Sequence, residues 1–383
     1  MLTQAFSLEG GTLMPLYELT ALTRTALPPL RLDHLRQLTD DTGLLQHAFH
    51  TTPDPHHGYT TDDNARALLV ALQCQQVPDA EDTQDLASRY LAFLRYAQRP
   101  DGRFHNFLAY DRNWLDEFGS DDTQGRAIWS LGYVLANSGL PGMRLSAEAL
   151  LEKCLPCARE INAPRGYAYS LLGLSWALHA DYAPDLLLDL AQTFADRLVS
   201  LWKAVADDEW AWFEDIIAYC SPKLCEGLLH AYLMSERQEY ADIALAGLDF
   251  LLDIYFSDDM LDLVGQNGWY RRGRRRAHFD QQPIDACAVV QGCLAAYQVT
   301  GEAIYFRRAY QAFSWFLGAN RLGAPLYAPN NGGCFDGLHR DRVNGNQGAE
   351  STIAYLMARL AFEVPPMPAS TNAILTADSV AAM

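Results

Sequence analysis

Two kinds of helical pattern alternate along the chain. In the first kind, apolar residues occupy every side of the predicted helix, as in residues 123–137, and such a helix must be buried. In the second kind, apolar residues recur every three or four positions and charged residues fill the other side, as in residues 86–98. The pattern predicts six apolar helices, each preceded by an amphipathic one. The apolar helices are expected to begin near Asp63, Asp122, Gly166, Pro222, Ile284 and Glu350.

The spacing of these helices predicts the fold. The apolar helices recur roughly every 45 to 65 residues, which is typical of a repeat architecture. Six buried helices inside six half-buried ones predict an all-α fold, an (α/α)6 toroid in which six helical hairpins close into a ring. Every connection from an outer to an inner helix then lies on one face. Because most of these connections are long, we expect that face to carry the functional loops.

The domain boundaries follow from the same pattern. The ring is expected to occupy residues 31–363 as one catalytic domain, and its first amphipathic helix is predicted over residues 32–48. Residues 1–30 end in two prolines and are interpreted as an N-terminal extension. Residues 364–383 are rich in Pro, Ala and Ser, a composition that predicts a disordered tail.

Two apolar helices begin with a pair of adjacent acids, Thr-Asp-Asp at 61–63 and Ser-Asp-Asp at 120–122. A helix start needs one capping side chain, so the second acid is available for chemistry. Paired carboxylates are typical of glycoside hydrolysis, in which one protonates the leaving oxygen and the other activates water. We favour Asp122 with Glu214 or Asp215 as acid and base, and Asp63 as the residue that orients substrate or water. The candidate catalytic residues are therefore Asp63, Asp122, Glu214 and Asp215.

Other polar and aromatic residues on the same predicted face could bind the substrate. Trp212 could stack on a sugar ring or pack its own loop, and His57 could donate to a substrate hydroxyl. A purely structural role is also open for each acid, because Asp at a helix start is a common cap and suits the helix dipole. The candidate substrate-binding residues are His57, Asp62, Asp121, Trp212, Asp280, Asp285, Asp336, His339 and Glu350.

Arginines occur beside the acids and in one loop. Arg66 and Arg126 lie four and five residues after Asp62 and Asp121, so we expect each to pair with the acids of its own first turn. Five further arginines cluster at 271–276. This cluster is either a solvated loop or a site for a phosphate or an acidic sugar.

Composition excludes several classes of partner. A net charge of -18 argues against nucleic acid and anionic membrane surfaces, and no stretch reaches the roughly 18 apolar residues of a membrane span. The first residues lack a signal-peptide pattern and the cysteines are scattered, which predicts a cytoplasmic protein with reduced thiols. Cys154 and Cys157 form a lone CxxC pair with no second ligand pair nearby, and the Gly-rich stretch at 332–337 lacks the Lys and Ser or Thr of a phosphate-binding loop, so we expect no metal and no cofactor.

Four motifs together resemble the six-hairpin glycosidase superfamily. They lie at 57–66, 119–129, 212–215 and 344–352. More narrowly, they resemble a group of bacterial proteins that stand alone or are fused to glycosyltransferases, often beside mannoside phosphorylases. The resemblance covers residues 45–362 and implies a carbohydrate-active toroid, with a mannose-containing oligosaccharide as a candidate substrate. It transfers no catalytic role to any single residue.

The residues and the resemblance favour an inverting glycoside hydrolase that acts on an oligosaccharide. Two alternatives stay open. One is a sugar epimerase or isomerase on the same ring; such enzymes generally use histidines as acid and base, and carboxylates outnumber histidines on the predicted face. The other is a non-catalytic module that binds glycans or assists a glycosyltransferase, because a fold does not fix a function.

Overall fold

The computed structural model describes residues 27–257 and 259–368. Most of the expected N-terminal extension, residues 1–30, and of the expected disordered tail, residues 364–383, lies outside this part. Both edges of the described chain make packing contacts. Arg359 donates to the carbonyl of Pro28 at 2.8 Å, and Met367 is fully buried.

Twelve α-helices form the described part of the chain. In chain order they are α1 (Asp33–Leu38), α2 (Thr61–Cys74), α3 (Gln84–Ala97), α4 (Asp121–Asn137), α5 (Pro141–Ala158), α6 (Pro164–His179), α7 (Pro184–Val205), α8 (Pro222–Ser235), α9 (Gln238–Tyr255), α10 (Pro283–Thr300), α11 (Ala303–Ser314) and α12 (Ala349–Leu360). The even-numbered helices are buried on nearly every side, whereas the odd-numbered helices are buried on one side. Each inner helix packs against the next, and α12 packs against α2, which closes the ring. The predicted (α/α)6 toroid is confirmed.

The first outer helix is much shorter than the sequence pattern predicts. α1 ends at Leu38, and residues Leu45–Phe49 form strand β1, which pairs antiparallel with β2 (Thr52–Thr60). The prediction of one helix over 32–48 is therefore wrong. The cause is local: Asp40 Oδ1 accepts the amides of Thr42 at 2.8 Å and Gly43 at 3.2 Å, and this side-chain turn replaces continued helix.

Short strands organise the long loops on one face of the ring. They are β3 (Phe107–Leu108), β4 (Ile216–Ile217), β5 (Phe256–Ser257), β6 (Met260–Leu261), β7 (Tyr270–Arg271), β8 (Tyr327–Ala328), β9 (Gly333–Cys334), β10 (Gly337–Leu338) and β11 (Val343–Asn344). Strand β3 pairs with β2, and β4 pairs with β7, so each pair joins two loops that lead into different inner helices. The other pairs are β5 with β6, β8 with β9, and β10 with β11. The loops of this face are thus tied to one another.

Inner helices α4 and α6 approach each other closely at two glycines. A Cβ added at Gly132 would lie 2.0 Å from the carbonyl oxygen of Gly173, and one added at Gly173 would lie 2.3 Å from that of Ile128. Only glycine permits this contact between backbones. The close approach brings the beginnings of neighbouring inner helices together. None of the helices within residues 27–257 and 259–368 is both long and apolar enough to cross a bilayer.

We expect Gly173→Ala to destabilise the ring, because its new methyl group overlaps the backbone of α4. The free energy of unfolding, measured in guanidinium chloride, should fall by about 1–3 kcal/mol. Gly142→Ala is the matched control, since an added Cβ there meets no atom within 4 Å. That variant should be as stable as the wild type or more stable by up to about 1 kcal/mol. Equal stability of both variants would contradict the close contact.

Candidate active site

A belt of polar contacts follows the mouth of the ring, where the inner helices begin. Each contact joins one inner helix, or the loop before it, to the next; we call this set the mouth belt. Between α2 and α4, the guanidinium of Arg126 binds both carboxylate oxygens of Asp62. Arg126 also donates to the hydroxyl of Tyr169 on α6 at 2.8 Å. The prediction that Arg126 pairs with its own first turn is therefore wrong, because its partner lies on the neighbouring helix.

Asp121 joins α4 to α6 by capping the second helix. Its Oδ2 accepts the backbone amides of Asn162 at 2.7 Å and Ala163 at 2.8 Å, just before α6 begins. No side chain of α6 caps its own start. Asp121 therefore supplies the acceptor that the exposed amides of α6 require, and we assign it a structural role.

Arg165, near the start of α6, joins that helix to the loop before α8. Its Nε donates to the carbonyl of Tyr219 at 2.6 Å, and its Nη1 donates to Glu214 Oε2 at 3.0 Å. The guanidinium also lies over the Tyr219 ring, 4.6 Å from the ring centroid. Glu214 is thereby held in an ion pair, while Asp215 beside it is exposed.

Trp212 has the environment of a core residue. Its ring is fully buried, packs edge-on against Phe213, and donates from Nε1 to the carbonyl of Ile216 at 3.1 Å. A ring in this position offers no face to a sugar. Of the two roles open for Trp212, the structure therefore favours packing of the loop.

The belt closes between α10, α12 and α2. His339 Nδ1 lies 2.8 Å from Asp280 Oδ1, which joins the loops before α12 and α10. Arg66 on α2 donates to Glu350 on α12 at 3.1 Å and to Asp63 in its own first turn at 2.8 Å. The expected pairing of Arg66 within its own helix is confirmed.

Asp336 caps α12. Its Oδ1 accepts the amide of Gly348 at 2.7 Å and the hydroxyl of Ser351 at 2.8 Å. His57 lies farther out, exposed on β2, and its ring packs edge-on against His47 with 4.5 Å between centroids.

Two of the predicted acids meet one dipeptide at the mouth. The Tyr219 hydroxyl donates to Asp122 Oδ2 at 2.8 Å, and the amide of Cys220 donates to Asp285 Oδ1 at 2.7 Å. Asp122 comes from α4 and Asp285 from α10. Cys220 has a φ of 49°, a conformation that residues with a side chain adopt only where the surroundings enforce it. The dipeptide 219–220 thus contacts both carboxyl groups, one through its backbone and one through the Tyr219 hydroxyl.

Asp285 has the properties of a proton donor. The pKa of Asp285 is raised to about 7, chiefly by burial and also by the charge of Glu350, although the Cys220 amide and Arg165 act in the opposite direction. Its Oδ2 is buried and has no hydrogen-bond partner in the described part of the chain. Near neutral pH a large fraction of this carboxyl group is protonated, and no protein group binds the proton. Such a group suits general acid catalysis.

The acids of α2 are more fully occupied. Burial would raise the pKa of Asp62, but Arg126 and Arg66 hold it below its ordinary value, so Asp62 is a permanent anion. Burial raises the pKa of Asp63, and Asp62 and Glu350 add to the rise against Arg66. Both oxygens of Asp63 are bound, one by Arg66 and the other by the Thr60 hydroxyl at 2.7 Å. Asp63 is thus suited to positioning rather than to proton transfer.

Three residues of this site were not predicted from the sequence: Arg165, Tyr219 and Cys220. Arg165 could have been found, because it stands at the start of an inner helix, where α2 and α4 carry acids. Tyr219 is 38% exposed at the mouth and has Trp269 beside it, with 6.3 Å between ring centroids. Nothing in the sequence indicates the conformation of Cys220. Among the described residues, no group of three or more His, Cys, Asp or Glu side chains is arranged to hold a metal ion.

Comparison with known proteins identifies similar folds. No protein-family model and no curated protein sequence matches the chain. A cellobiose 2-epimerase from Spirochaeta thermophila is 13% identical, with a TM-score of 0.69 over 92% of this chain and 98% of its own. A D-mannose isomerase is 12% identical, with a TM-score of 0.67 over 93% and 100% of the two chains. An α-mannanase from Bacteroides thetaiotaomicron is 10% identical, with a TM-score of 0.60 over 95% and 98%. These likenesses confirm the six-hairpin (α/α)6 fold that the sequence motifs imply.

We expect Asp285 to make the protein less stable as the pH rises from about 4 to about 7. The carboxyl group titrates near its ordinary pKa of about 3.9 in the unfolded chain and near a pKa of about 7 in the folded protein. Between these values only the folded protein binds the proton, so its stability is greatest below pH 4 and falls until the buried carboxyl group ionises. The stability of the wild type minus that of Asp285→Asn should decrease by on the order of 4 kcal/mol between pH 4 and pH 8.

Guanidinium unfolding at a series of pH values measures this difference. Glu152→Gln is the control, because Glu152 is exposed on outer helix α5 and its removal should leave the pH profile parallel to that of the wild type. Parallel profiles for the wild type and Asp285→Asn would show that the Asp285 carboxyl is not buried in its neutral form.

Proposed function

We propose that the mouth of the ring is the active site of an enzyme that acts on a sugar by general acid–base catalysis. The reaction that we favour is hydrolysis of a glycosidic bond in an oligosaccharide. Asp285 is the proposed proton donor to the leaving oxygen, and Asp122 is the proposed base that activates water. The observation that carries the proposal is the binding of both carboxyl groups to the dipeptide 219–220.

The free oxygens of the two acids support this assignment. Asp285 Oδ2 has no hydrogen-bond partner, and no hydrogen bond of the described residues uses Asp122 Oδ1. Glu214 is bound to Arg165 and Asp215 is exposed, so neither serves as a partner for Asp122 in this proposal. Inversion of the anomeric centre is the expected outcome, because the base acts on water rather than on the sugar itself.

Three buried arginines hold the acids of the mouth in place. Arg66, Arg126 and Arg165 bind Asp63, Asp62 and Glu214. Their remaining nitrogens without a hydrogen-bond partner among the described residues are enclosed by protein, so their proposed role is to position the acids. The Tyr219 ring, exposed at the mouth, is the proposed aromatic surface for the sugar in place of Trp212.

A mannose-containing substrate is supported by two of the similar structures. One is a D-mannose isomerase and another is an α-mannanase. The proposal includes an oligosaccharide as the ligand and no nucleic acid, in keeping with the net charge of -18.

We expect Asp285→Asn to fold and to lose hydrolysis. Removal of a general acid should lower kcat by about 10²–10⁴-fold on a mannose-containing oligosaccharide. Release of reducing ends measures turnover, and circular dichroism measures folding. Glu152→Gln is the matched control on an outer helix and should retain wild-type turnover. Undiminished turnover by a folded Asp285→Asn variant would remove Asp285 from the reaction.

Epimerisation or isomerisation of a sugar is the second candidate, and the pair formed by His339 and Asp280 favours it. A carboxylate 2.8 Å from His339 Nδ1 fixes the orientation of the ring and leaves Nε2 for proton transfer. The first two similar structures described above are an epimerase and an isomerase.

Product analysis separates the two candidates. Under the epimerase hypothesis, incubation with an oligosaccharide or a free sugar yields an isomer without new reducing ends, and His339→Gln abolishes the conversion. Under the hydrolase hypothesis, new reducing ends form and the same variant retains most turnover. Binding of the oligosaccharide by calorimetry without any product would favour the glycan-binding module.

A further inference from the structure

A cleft of about 510 Å³ lies beside the mouth, between the loops that lead into α10 and α12. Its polar lining residues are Asn267, Arg276, His278, Asp280, Arg321 and Arg340. Three of the six are arginines, in a protein whose net charge is -18. The cleft is therefore locally basic, in contrast to the protein as a whole.

One carboxylate is shared by most of the positive side chains of the cleft. Arg321 donates to both oxygens of Asp262, from Nε at 2.6 Å and from Nη2 at 2.7 Å. Arg276 lies 2.7 Å and His278 lies 3.1 Å from Asp262 Oδ2. A single carboxylate balances one guanidinium charge, so the second remains uncompensated.

The remaining charges do not correct this excess. Asp280 also lines the cleft and pairs with His339 at its border. Two carboxylates, Asp262 and Asp280, therefore face the three guanidinium groups. Arg340 is exposed, and within residues 27–257 and 259–368 no carboxylate pairs with it. Burial lowers the pKa of Arg276, and the charge of Arg321 acts in the same direction although Asp262 opposes both. The guanidinium groups of the cleft therefore exceed its carboxylates by one.

Donors for such a charge are present. The buried Nε of Arg276 has no hydrogen-bond partner among the described residues, and the hydrogen bonds of Arg321 use only its Nε and Nη2. The exposed guanidinium group of Arg340 makes no ion pair within the part of the chain that the structure describes. Planar guanidinium donors match the oxygens of phosphate and carboxylate groups, and charge-assisted hydrogen bonds of this kind are the strong ones.

We propose that this cleft binds the anionic group, a phosphate or a carboxylate, of a sugar ligand. The contact between Asp280 and His339 forms the border between the cleft and the mouth belt. A sugar held at the mouth can therefore extend an anionic substituent into the cleft. The identification of the ligand as the substrate rests on the proposed function, whereas anion binding itself does not.

Calorimetric titration of the full chain tests the proposal. The probes are inorganic phosphate, mannose 6-phosphate, glucuronate and, as the neutral comparison, mannose. The wild type should bind at least one of the anionic probes, and a preference for the phosphates or for glucuronate identifies the anionic group. Arg340→Gln should weaken that binding about tenfold, the size of one charge-assisted hydrogen bond, and Arg340→Lys should lose less.

Arg275→Gln is the matched control, because Arg275 is exposed in the same arginine cluster and does not line the cleft. It should leave affinity within about twofold of the wild type, since a distant exposed charge is screened by salt. An equal loss in Arg275→Gln and Arg340→Gln would show diffuse attraction and overturn the site. Failure of the wild type to bind any of the anionic probes would overturn it as well.

Asp285→Asn separates this proposal from the catalytic one. The variant should keep its affinity for the anionic probe, because Asp285 does not line the cleft. If Asp285→Asn retained turnover while Arg340→Gln lost anion binding, the result would support the anion site and contradict the proposed catalytic role of Asp285. If Asp285→Asn lost turnover and the wild type bound no anionic probe, the result would support the catalytic role of Asp285 and contradict the anion site.

Discussion

Arg126 and Asp62 lie on different inner helices, and the arginine is almost completely enclosed by protein. A buried charge without its partner costs several kcal/mol, so this contact fixes α4 against α2. Comparable contacts follow around the mouth: Asp121 with the start of α6, Arg165 with the loop before α8, Asp285 with Cys220, and Glu350 with Arg66. His339 and Asp280 join the loops before α12 and α10, so every neighbouring pair of inner helices is connected where the helices begin.

The contacts of the mouth belt also give different surroundings to the carboxyl groups at the beginnings of the inner helices. Inner helices point their beginnings at the mouth, and the positive end of each helix dipole favours a carboxylate there. Asp62 and Asp63 use both oxygens, and Asp121 and Glu214 use one oxygen to hold a neighbouring element. Asp285 differs because its second oxygen is buried and has no hydrogen-bond partner among the described residues. Members of one set of acids therefore have different surroundings.

The sequence predicts the ring better than it predicts the site. The alternation of apolar and amphipathic helices depends on which residues are buried. The pattern of apolar residues along the chain shows this directly, so the predicted beginnings of all six inner helices are confirmed. The helix predicted over 32–48 is wrong because the Asp40 turn competes with it locally. The partners of Arg126 and the burial of Trp212 depend on which helices become neighbours, and the chain pattern around each residue contains no such information. The conformation of Cys220 is likewise imposed by its tertiary surroundings.

The contact between Arg66 and Glu350 joins residues 284 positions apart in the chain. During synthesis α2 therefore leaves the ribosome long before its partner helix exists, and the ring closes only when α12 has been made. Contacts of such separation form late, because the closure of a long loop must precede them. The mouth is accordingly complete only in the complete ring, and partial chains that end before α12 have an open gap where α2 should meet its neighbour. We therefore expect the mouth to acquire its closing contact only after α12 has been made.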